Sequence, residues 1–174
     1  MRQARLLTLI LAVSLVAGVV IGQQSDSNSL TRSEKDGKWG FVNTAGKFVV
    51  PAQFDWVSDF SEGLARVKMG VTVSRTGMTL GKHSDNNWRY IDKSGNTVFK
   101  LRADSVGDFS EGLASACIIK RDGYLYCGYI DKQGRWAIEP TFGSCEPFTN
   151  GIAKILLNGQ WRWIDRQGKF IAGR

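Results

Sequence analysis

Histidine is nearly absent from this chain of 174 residues, which narrows the chemistry available to it. A Ser-His-Asp or Cys-His arrangement would have to use His83, because no other imidazole is present. His83 lies close to Asp85 in a polar stretch that is typical of a solvated loop, and this stretch matches no calcium-loop pattern. We therefore expect no catalysis, no metal and no cofactor, and we keep His83 and Asp85 only as candidate ligand contacts.

Clusters of one charge sign are lacking as well. The formal net charge is +7, but the 23 lysine and arginine residues are spread along the sequence. This distribution favours a solvated surface with surplus lysine, and weak attraction to anionic surfaces is the alternative. No groove-reading motif is present, so nucleic acid is not an expected partner.

The composition is that of a globular chain, with 43% apolar and 22% charged residues, and the length suits one domain. Twenty glycines and 11% aromatic residues indicate many tight turns between short strands. We therefore predict an all-β fold.

The N-terminal stretch 1–22 has the pattern of a secretory signal peptide. Arg2 and Arg5 precede an apolar run from Leu6 to Gly22, and small residues stand just before a cut ahead of Gln23. An uncleaved membrane anchor is the alternative, because this apolar run is close to the minimum length for spanning a bilayer. We expect a secreted or periplasmic protein, with residues 23–36 as a flexible linker and residues 37–174 as the folded domain.

One heptad organises the rest of the sequence. Asp-Phe-Ser-Glu-Gly-Leu-Ala occurs at residues 59–65 and again at 108–114, and a divergent copy, Pro-Phe-Thr-Asn-Gly-Ile-Ala, occupies 147–153. Four other segments each lead to an Asn or Asp and, three residues later, to a glycine that accepts the positive φ of a hairpin turn. These turn glycines are Gly46, Gly95, Gly134 and Gly168.

The spacing of the glycines defines a repeated unit. The interval from a turn glycine to the next heptad glycine is the same in all three copies, namely Gly46 to Gly63, Gly95 to Gly112 and Gly134 to Gly151. The interval from a heptad glycine to the following turn glycine varies, and it is longest between Gly63 and Gly95. The uninterrupted period, from Gly134 to Gly168, is typical of repeat architectures. The longest interval places an insertion between Lys68 and Asn87, where we expect a surface loop that carries specificity.

Each unit is predicted to form a meander of three antiparallel strands. The first strand carries the tryptophan of Trp39-Gly40, the second follows the turn, and the third begins within the heptad. Four units, the last incomplete, give about eleven strands, and each unit must pack against its neighbour to bury its apolar face. No heptad strand is recognisable before the first unit, which favours an open solenoid or partial propeller over a closed ring.

These segments resemble the WG-repeat family, also called KWG repeats. The resemblance rests on Trp39-Gly40, the turn after it, a second strand that ends near Pro51, and the Phe-Ser-Glu-Gly-Leu-Ala of the heptads. It extends over residues 38–174 and implies a β-rich interaction scaffold, found mostly in bacterial proteins and without an assigned reaction. Arg89 and Arg162 replace the motif glycine and Cys127 replaces the tryptophan, so we do not expect equivalent binding sites in the four units.

The acidic residues of the heptads have a catalytic interpretation beside a structural one. Asp59 with Glu62, and Asp108 with Glu111, resemble the carboxylate pairs of glycoside hydrolases. A catalytic pair is normally a single constellation, however, and these residues recur at equal positions in two units. The recurrence favours turn and capping roles.

Aromatic residues at equivalent strand positions predict a ladder of rings along the array. Its members are Trp39, Phe41, Trp88, Tyr90, Tyr129, Trp161 and Trp163. The ladder is expected to form the core, and open rings that stack on a ligand are the alternative. Trp56 is the stronger surface candidate because its equivalents are small and polar, and Arg89 and Arg162 complete the candidate ligand contacts.

The three cysteines allow one disulfide and one remaining thiol in an exported chain. Residues 121–123, Arg-Asp-Gly, have the pattern of a three-residue hairpin loop, which places Cys117 directly opposite Cys127. We predict a disulfide between them and a buried free thiol at Cys145, with three reduced cysteines as the alternative.

These patterns together favour a secreted or envelope-associated scaffold for protein–protein interaction, without catalysis. A cell-envelope glycan-binding module that uses exposed aromatic residues is the alternative, and a hydrolase is a remote one. An exposed aromatic row would favour the glycan, a single protruding loop the protein partner, and a deep cleft with two facing carboxylates the hydrolase.

Overall fold

The computed structural model describes residues 29–69 and 87–172. These residues form fourteen strands, and none of them belongs to a helix that could cross a membrane. The strands are β1 (Thr31–Lys35), β2 (Lys38–Val42), β3 (Phe48–Phe54), β4 (Trp56–Val57), β5 (Ala65–Lys68), β6 (Asn87–Ile91), β7 (Thr97–Arg102), β8 (Ser105–Val106), β9 (Ala114–Ile119), β10 (Leu125–Ile130), β11 (Trp136–Phe142), β12 (Ser144–Cys145), β13 (Ile152–Leu157) and β14 (Gln160–Asp165). The all-β repeat array is confirmed. The strand count exceeds the predicted eleven mainly because three two-residue strands, β4, β8 and β12, were not foreseen.

The strands form four antiparallel sheets, with the orders β1-β2-β3, β4-β5-β6-β7, β8-β9-β10-β11 and β12-β13-β14. Each of the last three sheets joins the end of one sequence unit to the start of the next. The heptad strand β5 pairs with the tryptophan-bearing strand β6 of the following unit, and β9 pairs with β10 in the same way. Consecutive units are therefore held together by backbone hydrogen bonds as well as by side-chain packing.

Strand β1 contradicts two predictions: that residues 23–36 form a flexible linker, and that no heptad strand precedes the first unit. Thr31–Lys35 lies inside the stretch predicted to be a flexible linker, yet it pairs along its whole length with β2. Arg32 stands opposite Phe41 just as Arg66 of β5 stands opposite Tyr90. A heptad-type strand therefore does precede the first unit, and it was missed because the sequence of β1 is almost entirely polar.

The four hairpin turns have the predicted geometry. In the second unit, Asp92 Oδ1 accepts hydrogen bonds from the backbone N–H groups of Ser94 and Asn96, both at 2.9 Å. The same pair of bonds recurs at Asn43, Asp131 and Asp165, and the four turn glycines have φ between +74° and +86°. The Asx side chain and the left-handed glycine thus set each turn together.

The motif glycine is required where the second strand bulges. Pairing jumps from Trp39–Phe54 to Phe41–Val50, so β3 has extra residues there, and a Cβ at Gly40 would lie 2.5 Å from the Val50 carbonyl oxygen. Gly128 meets the same obstacle in the third unit, at 2.3 Å from Ile138 O. In the second unit the pairs run without a break from Asn87–Arg102 to Tyr90–Phe99, which leaves room for the side chain of Arg89.

The core consists of three apolar clusters, each of which joins consecutive units. Its centre in each of the first three units is an aromatic ring of the unit's first strand packed on the phenylalanine of the heptad. The ring centroids are 4.5 Å apart for Phe41 and Phe60, 5.2 Å for Tyr90 and Phe109, and 4.7 Å for Tyr129 and Phe148. The buried rings Phe41, Tyr90 and Tyr129 therefore belong to the core, as the structural interpretation of the ladder predicts.

Candidate functional site

Consecutive heptads contact one another along a line that we call the heptad seam, formed by residues 59–65, 108–114 and 147–153. Within each heptad the third and sixth residues form an antiparallel bridge across a two-residue turn. Ser61 Oγ donates a hydrogen bond of 2.6 Å to the carbonyl oxygen of Phe109, and Ser110 Oγ donates one of 2.7 Å to that of Phe148. The serine of each of the first two heptads thus reaches forward to the next heptad.

The glutamates of the seam make the matching contact. Glu62 accepts a hydrogen bond from the backbone N–H of Gly112 at 3.0 Å, and Glu111 accepts one from that of Gly151 at 2.8 Å. Both glutamates have left-handed backbones, with φ of +48° and +54°, a conformation that costs a residue with a Cβ about 1–2 kcal/mol. The contact to the next heptad explains why glutamate stands at this costly position.

Lys132 adds a cation to the first of these carboxylates, with Nζ 3.2 Å from Glu62 Oε2. Partial burial raises the pKa of Glu62, but hydrogen bonds from Lys132 and from the Gly112 N–H outweigh that effect and hold the pKa below its usual value. The carboxylate of Glu62 is therefore bound by two groups of the protein itself, the backbone N–H of Gly112 and the ammonium of Lys132.

Two arginine–aspartate pairs bind the first residues of the first two heptads, Asp59 and Asp108. Arg66 bonds both carboxylate oxygens of Asp108, at 2.7 and 2.9 Å, and Arg32 lies 2.7 Å from Asp59. All four heptad carboxylates that resemble a hydrolase pair are thus engaged in contacts between successive strands and heptads. These contacts give all four carboxylates a structural role, and that role accounts for their recurrence.

The free cysteine, Cys145, packs against one of the core clusters. Burial raises the pKa of Cys145 to about 12, although the hydroxyl of Tyr129 beside it lowers the pKa. Burial likewise raises the pKa of Tyr129, whose hydroxyl donates a 2.7 Å hydrogen bond to the carbonyl oxygen of Glu146. The Cys145 thiol therefore stays protonated and is a poor nucleophile.

The hairpin of β9 and β10 has the register that its loop sequence predicts. Lys120 N donates to Tyr124 O across the loop, Cys117 stands opposite Cys127, and these two cysteines form a disulfide. In the sheet of β4 to β7, the equivalent positions are Lys68 and Trp88, whose ammonium and ring lie 4.1 Å apart. The disulfide thus replaces a cation–π pair at the same place in the repeat.

Beyond the disulfide, the β9–β10 hairpin ends in an apolar tip, which we define as Ile119, Tyr124 and Leu125. Their exposed fractions are 56%, 70% and 43%. Asp122 fixes the loop, because its carboxylate accepts hydrogen bonds from the Tyr124 N–H at 3.0 Å and from the Tyr126 hydroxyl at 2.8 Å. These bonds lower the pKa of Asp122, so the loop keeps its charge and its geometry at neutral pH.

A second aromatic surface lies on the sheet of β4 to β7. Trp56 is 39% exposed, and its ring meets that of the buried Trp88 edge-on at 5.6 Å. The guanidinium of Arg66 lies 5.3 Å from the Trp56 ring, and Trp88 Nε1 is buried without a hydrogen-bond partner among the described residues. Trp161, 49% exposed, lies on another sheet, so the exposed tryptophans of the described ranges do not form a row.

Of the candidate ligand contacts that the structure describes, Trp56 and Arg89 belong to the sheet of β4 to β7, whereas Arg162 belongs to the sheet of β12 to β14. Trp56 is exposed as expected, Arg89 donates to the sulfur of Met69, and Arg162 lies over the ring of Phe170. His83 and Asp85 lie outside the described residues. Among residues 29–69 and 87–172, no group of acidic, histidine or cysteine side chains has the arrangement of a metal site.

The apolar tip was not anticipated from the sequence. Its signal is nevertheless visible: the two residues before Lys120 and the three after Gly123 are aliphatic or aromatic, on either side of a polar loop. Such residues are typical of buried strands, and they are exposed here because β9 and β10 continue past the ends of the flanking strands β8 and β11.

Comparison with known proteins agrees with the architecture. The family model for the WG containing repeat matches three times, at residues 39–70, 88–118 and 128–161, which together make up more than half of the chain. No curated protein and no solved structure shows significant similarity to the sequence. Each of the three matches contains one of the three seam heptads. The chain therefore belongs to the WG-repeat proteins.

Proposed function

We propose that this protein is a non-catalytic scaffold that binds another protein through the apolar tip of the β9–β10 hairpin. The observation that carries the proposal is the exposure of Ile119, Tyr124 and Leu125 at the end of a stiffened hairpin, where Ile119 and Leu125 stand opposite each other. Tyrosine is enriched among the residues that dominate binding energy at interfaces, and contiguous exposed apolar side chains mark interaction surfaces.

Rigidity of the hairpin supports this role. The disulfide lies two residue pairs from the apolar tip, the Asp122 carboxylate braces the loop, and the ammonium of Lys120 lies 4.4 Å from the ring of Tyr126. A partner would therefore bind a tip that already has its bound conformation. Pre-organisation of this kind improves affinity because less conformational entropy is lost on association.

The alternatives have weaker support. A glycan-binding module is favoured by Trp56, but Arg66 already lies over that ring, and no row of open rings continues from it in the described part of the chain. A hydrolase has less support still, because the four heptad carboxylates are committed to contacts along the array. The proposed address is secreted or periplasmic, which fits the signal-peptide pattern and the presence of a disulfide.

The test is site-specific cross-linking in the cells that produce the protein. A photo-crosslinking residue in place of Tyr124 should yield a discrete protein adduct, whereas the same residue in place of Val98 should not. Val98 is the matched control, because it is also an exposed apolar side chain but lies on β7, away from the hairpin.

The affinity of the captured partner would then be measured for the Tyr124→Ser/Leu125→Ser variant. We expect a loss of at least roughly tenfold, with the disulfide and the thermal midpoint unchanged. Equal affinity in the double variant would refute the proposal. A glycan bound in a manner that Trp56→Ala abolishes would instead favour the glycan-binding alternative.

A further inference from the structure

The disulfide of the β9–β10 hairpin lies at the last residue pair that the neighbouring strands support. Strand β8 pairs with β9 as far as Cys117, which stands opposite Ser105. Strand β11 pairs with β10 as far as Cys127, which stands opposite Phe142. The bridge therefore joins the two central strands at the point where the sheet of four strands becomes a hairpin of two.

The part of the hairpin past the disulfide, residues 118–126, is called the arm, and it contains the apolar tip. Within the described ranges, the strands of the arm pair only with each other, and two contacts tie its base to the rest of the protein. Ile118 packs against one core cluster, and the backbone N–H of Ile119 donates a 2.6 Å hydrogen bond to a carboxylate oxygen of Asp104. Because a hairpin of two strands is marginally stable by itself, the arm depends on what holds its base.

Two other hairpins of the array show that the sheets form without a bridge at this position. The equivalent pairs are Glu34 with Trp39 in β1–β2 and Leu156 with Trp161 in β13–β14. Each of these hairpins continues for one further residue pair and then closes in a turn of two residues. The β9–β10 hairpin continues for two further pairs and a longer loop. The covalent link therefore occurs in the longest arm of the three, where it stiffens the arm more than the sheet.

Cys117 is the more exposed of the two bridged residues. It is half-buried, whereas Cys127 is 2% exposed. A thiolate of a dithiol reductant would attack Sγ of Cys117, and Sγ of Cys127 would leave with the electron pair of the broken bond. The second thiol of the reductant then closes the reductant's own disulfide and releases Cys117, so two electrons and two protons pass from the reductant to the two cysteines. Cys145 is left out of this exchange, because its thiol stays protonated.

We propose that the disulfide is a redox control of the apolar tip: the oxidised hairpin holds the tip ready for its partner, and reduction by a dithiol frees the arm and weakens binding. This inference rests on the function proposed for the tip. After reduction, the strands still pair as far as Cys117 and Cys127, so the sheet is kept while the arm gains conformational freedom. A partner must then order the arm as it binds, which costs affinity.

Hydrogen exchange tests this clamp before any partner is identified. It would be measured on the full-length wild type and on Cys145→Val, in which no alternative disulfide can form and valine matches the equivalent residues Val57 and Val106. With dithiothreitol, amide exchange in residues 118–126 should become roughly tenfold faster, whereas residues 114–116 and 128–130 should keep their rates. Equal exchange of the arm in the two redox states would overturn the proposal. Faster exchange in both regions would also overturn it, because the bridge would then support the whole sheet.

Binding is then measured with the partner that the cross-linker at Tyr124 captures. We expect reduction to weaken binding at least roughly fivefold, and Cys117→Ala/Cys127→Ala to bind like the reduced protein with or without reductant. A reductant effect that persists in this double variant would contradict control by the disulfide. If Tyr124→Ser/Leu125→Ser loses affinity but reduction changes nothing, the apolar tip remains the binding site and only the redox control is wrong. Normal binding by Tyr124→Ser/Leu125→Ser would refute the proposed function itself, whatever the exchange rates show.

Discussion

Replacing Gly134 with alanine tests whether the turn glycines are needed for packing between units as well as for turn geometry. Gly134 has φ of +78°, so alanine would cost about 1–2 kcal/mol in backbone strain. A Cβ at this position would also lie 2.5 Å from Cδ2 of Phe99 and 2.9 Å from its Cγ. Because Phe99 is packed in the cluster that joins the second unit to its neighbours, the clash should add about 1–3 kcal/mol.

Gly159→Ala is the control that separates the two costs. Gly159 has nearly the same φ, +75°, but nothing lies within 4 Å of the Cβ position. Urea denaturation should therefore show that Gly134→Ala loses at least about 1 kcal/mol more than Gly159→Ala, at an unchanged m-value. In the Gly134→Ala background, Phe99→Leu should recover part of the loss. Equal losses in the two alanine variants would refute close packing of the turn on the preceding unit.

Three further predictions concern other contacts of the array. Replacing Cys117 and Cys127 by alanine should lower the free energy of unfolding by roughly 2–3 kcal/mol, measured against the wild type with and without reductant. Partial burial raises the pKa of Glu62, but stronger hydrogen bonds lower it overall, so its contribution to stability is present above the unfolded pKa of about 4.3 and is lost as pH falls through the folded value. Glu62→Gln should therefore be less stable at neutral pH and should lose less stability on acidification, as followed by urea denaturation at several pH values. Arg66→Lys should cost about 1 kcal/mol, because an ammonium cannot bond both oxygens of Asp108, and the cost should shrink in a double cycle with Asp108→Asn.

The repeat and its turns could be predicted because both depend on local backbone geometry. The Asx residue and the glycine three positions later bond within one turn, so their spacing is visible in the sequence itself. The register of the β9–β10 hairpin followed from its loop for the same reason, and it placed Cys117 opposite Cys127. In each of these cases a short segment contains all of the groups that determine the structure.

What could not be predicted depends on groups that are distant in the sequence. Strand β1 has almost no apolar alternation, because it is an edge strand whose structure comes from pairing with β2 and from the salt bridge of Arg32 to Asp59. The forward contact of Glu62 to Gly112 joins residues fifty positions apart. The recurrence of the heptad indicated that Glu62 matters, but its partner could be found only from the packed array.

Where one unit differs from another, positions that contact each other differ together. Asp108 pairs with Arg66, and in the next copy both positions change together, to Pro147 and Ser115. Arg89, which replaces the motif glycine, occurs in the unit whose second strand has no bulge opposite it.

Changes matched in this way preserve the stacking of the units, so they explain why unequal copies still form one array. The apolar tip has no such compensation: Ile119, Tyr124 and Leu125 extend past the ends of the neighbouring strands β8 and β11, and none of them is part of the three clusters. Exposed apolar side chains that contribute to none of the clusters are the basis of the protein-binding role that we propose for the apolar tip.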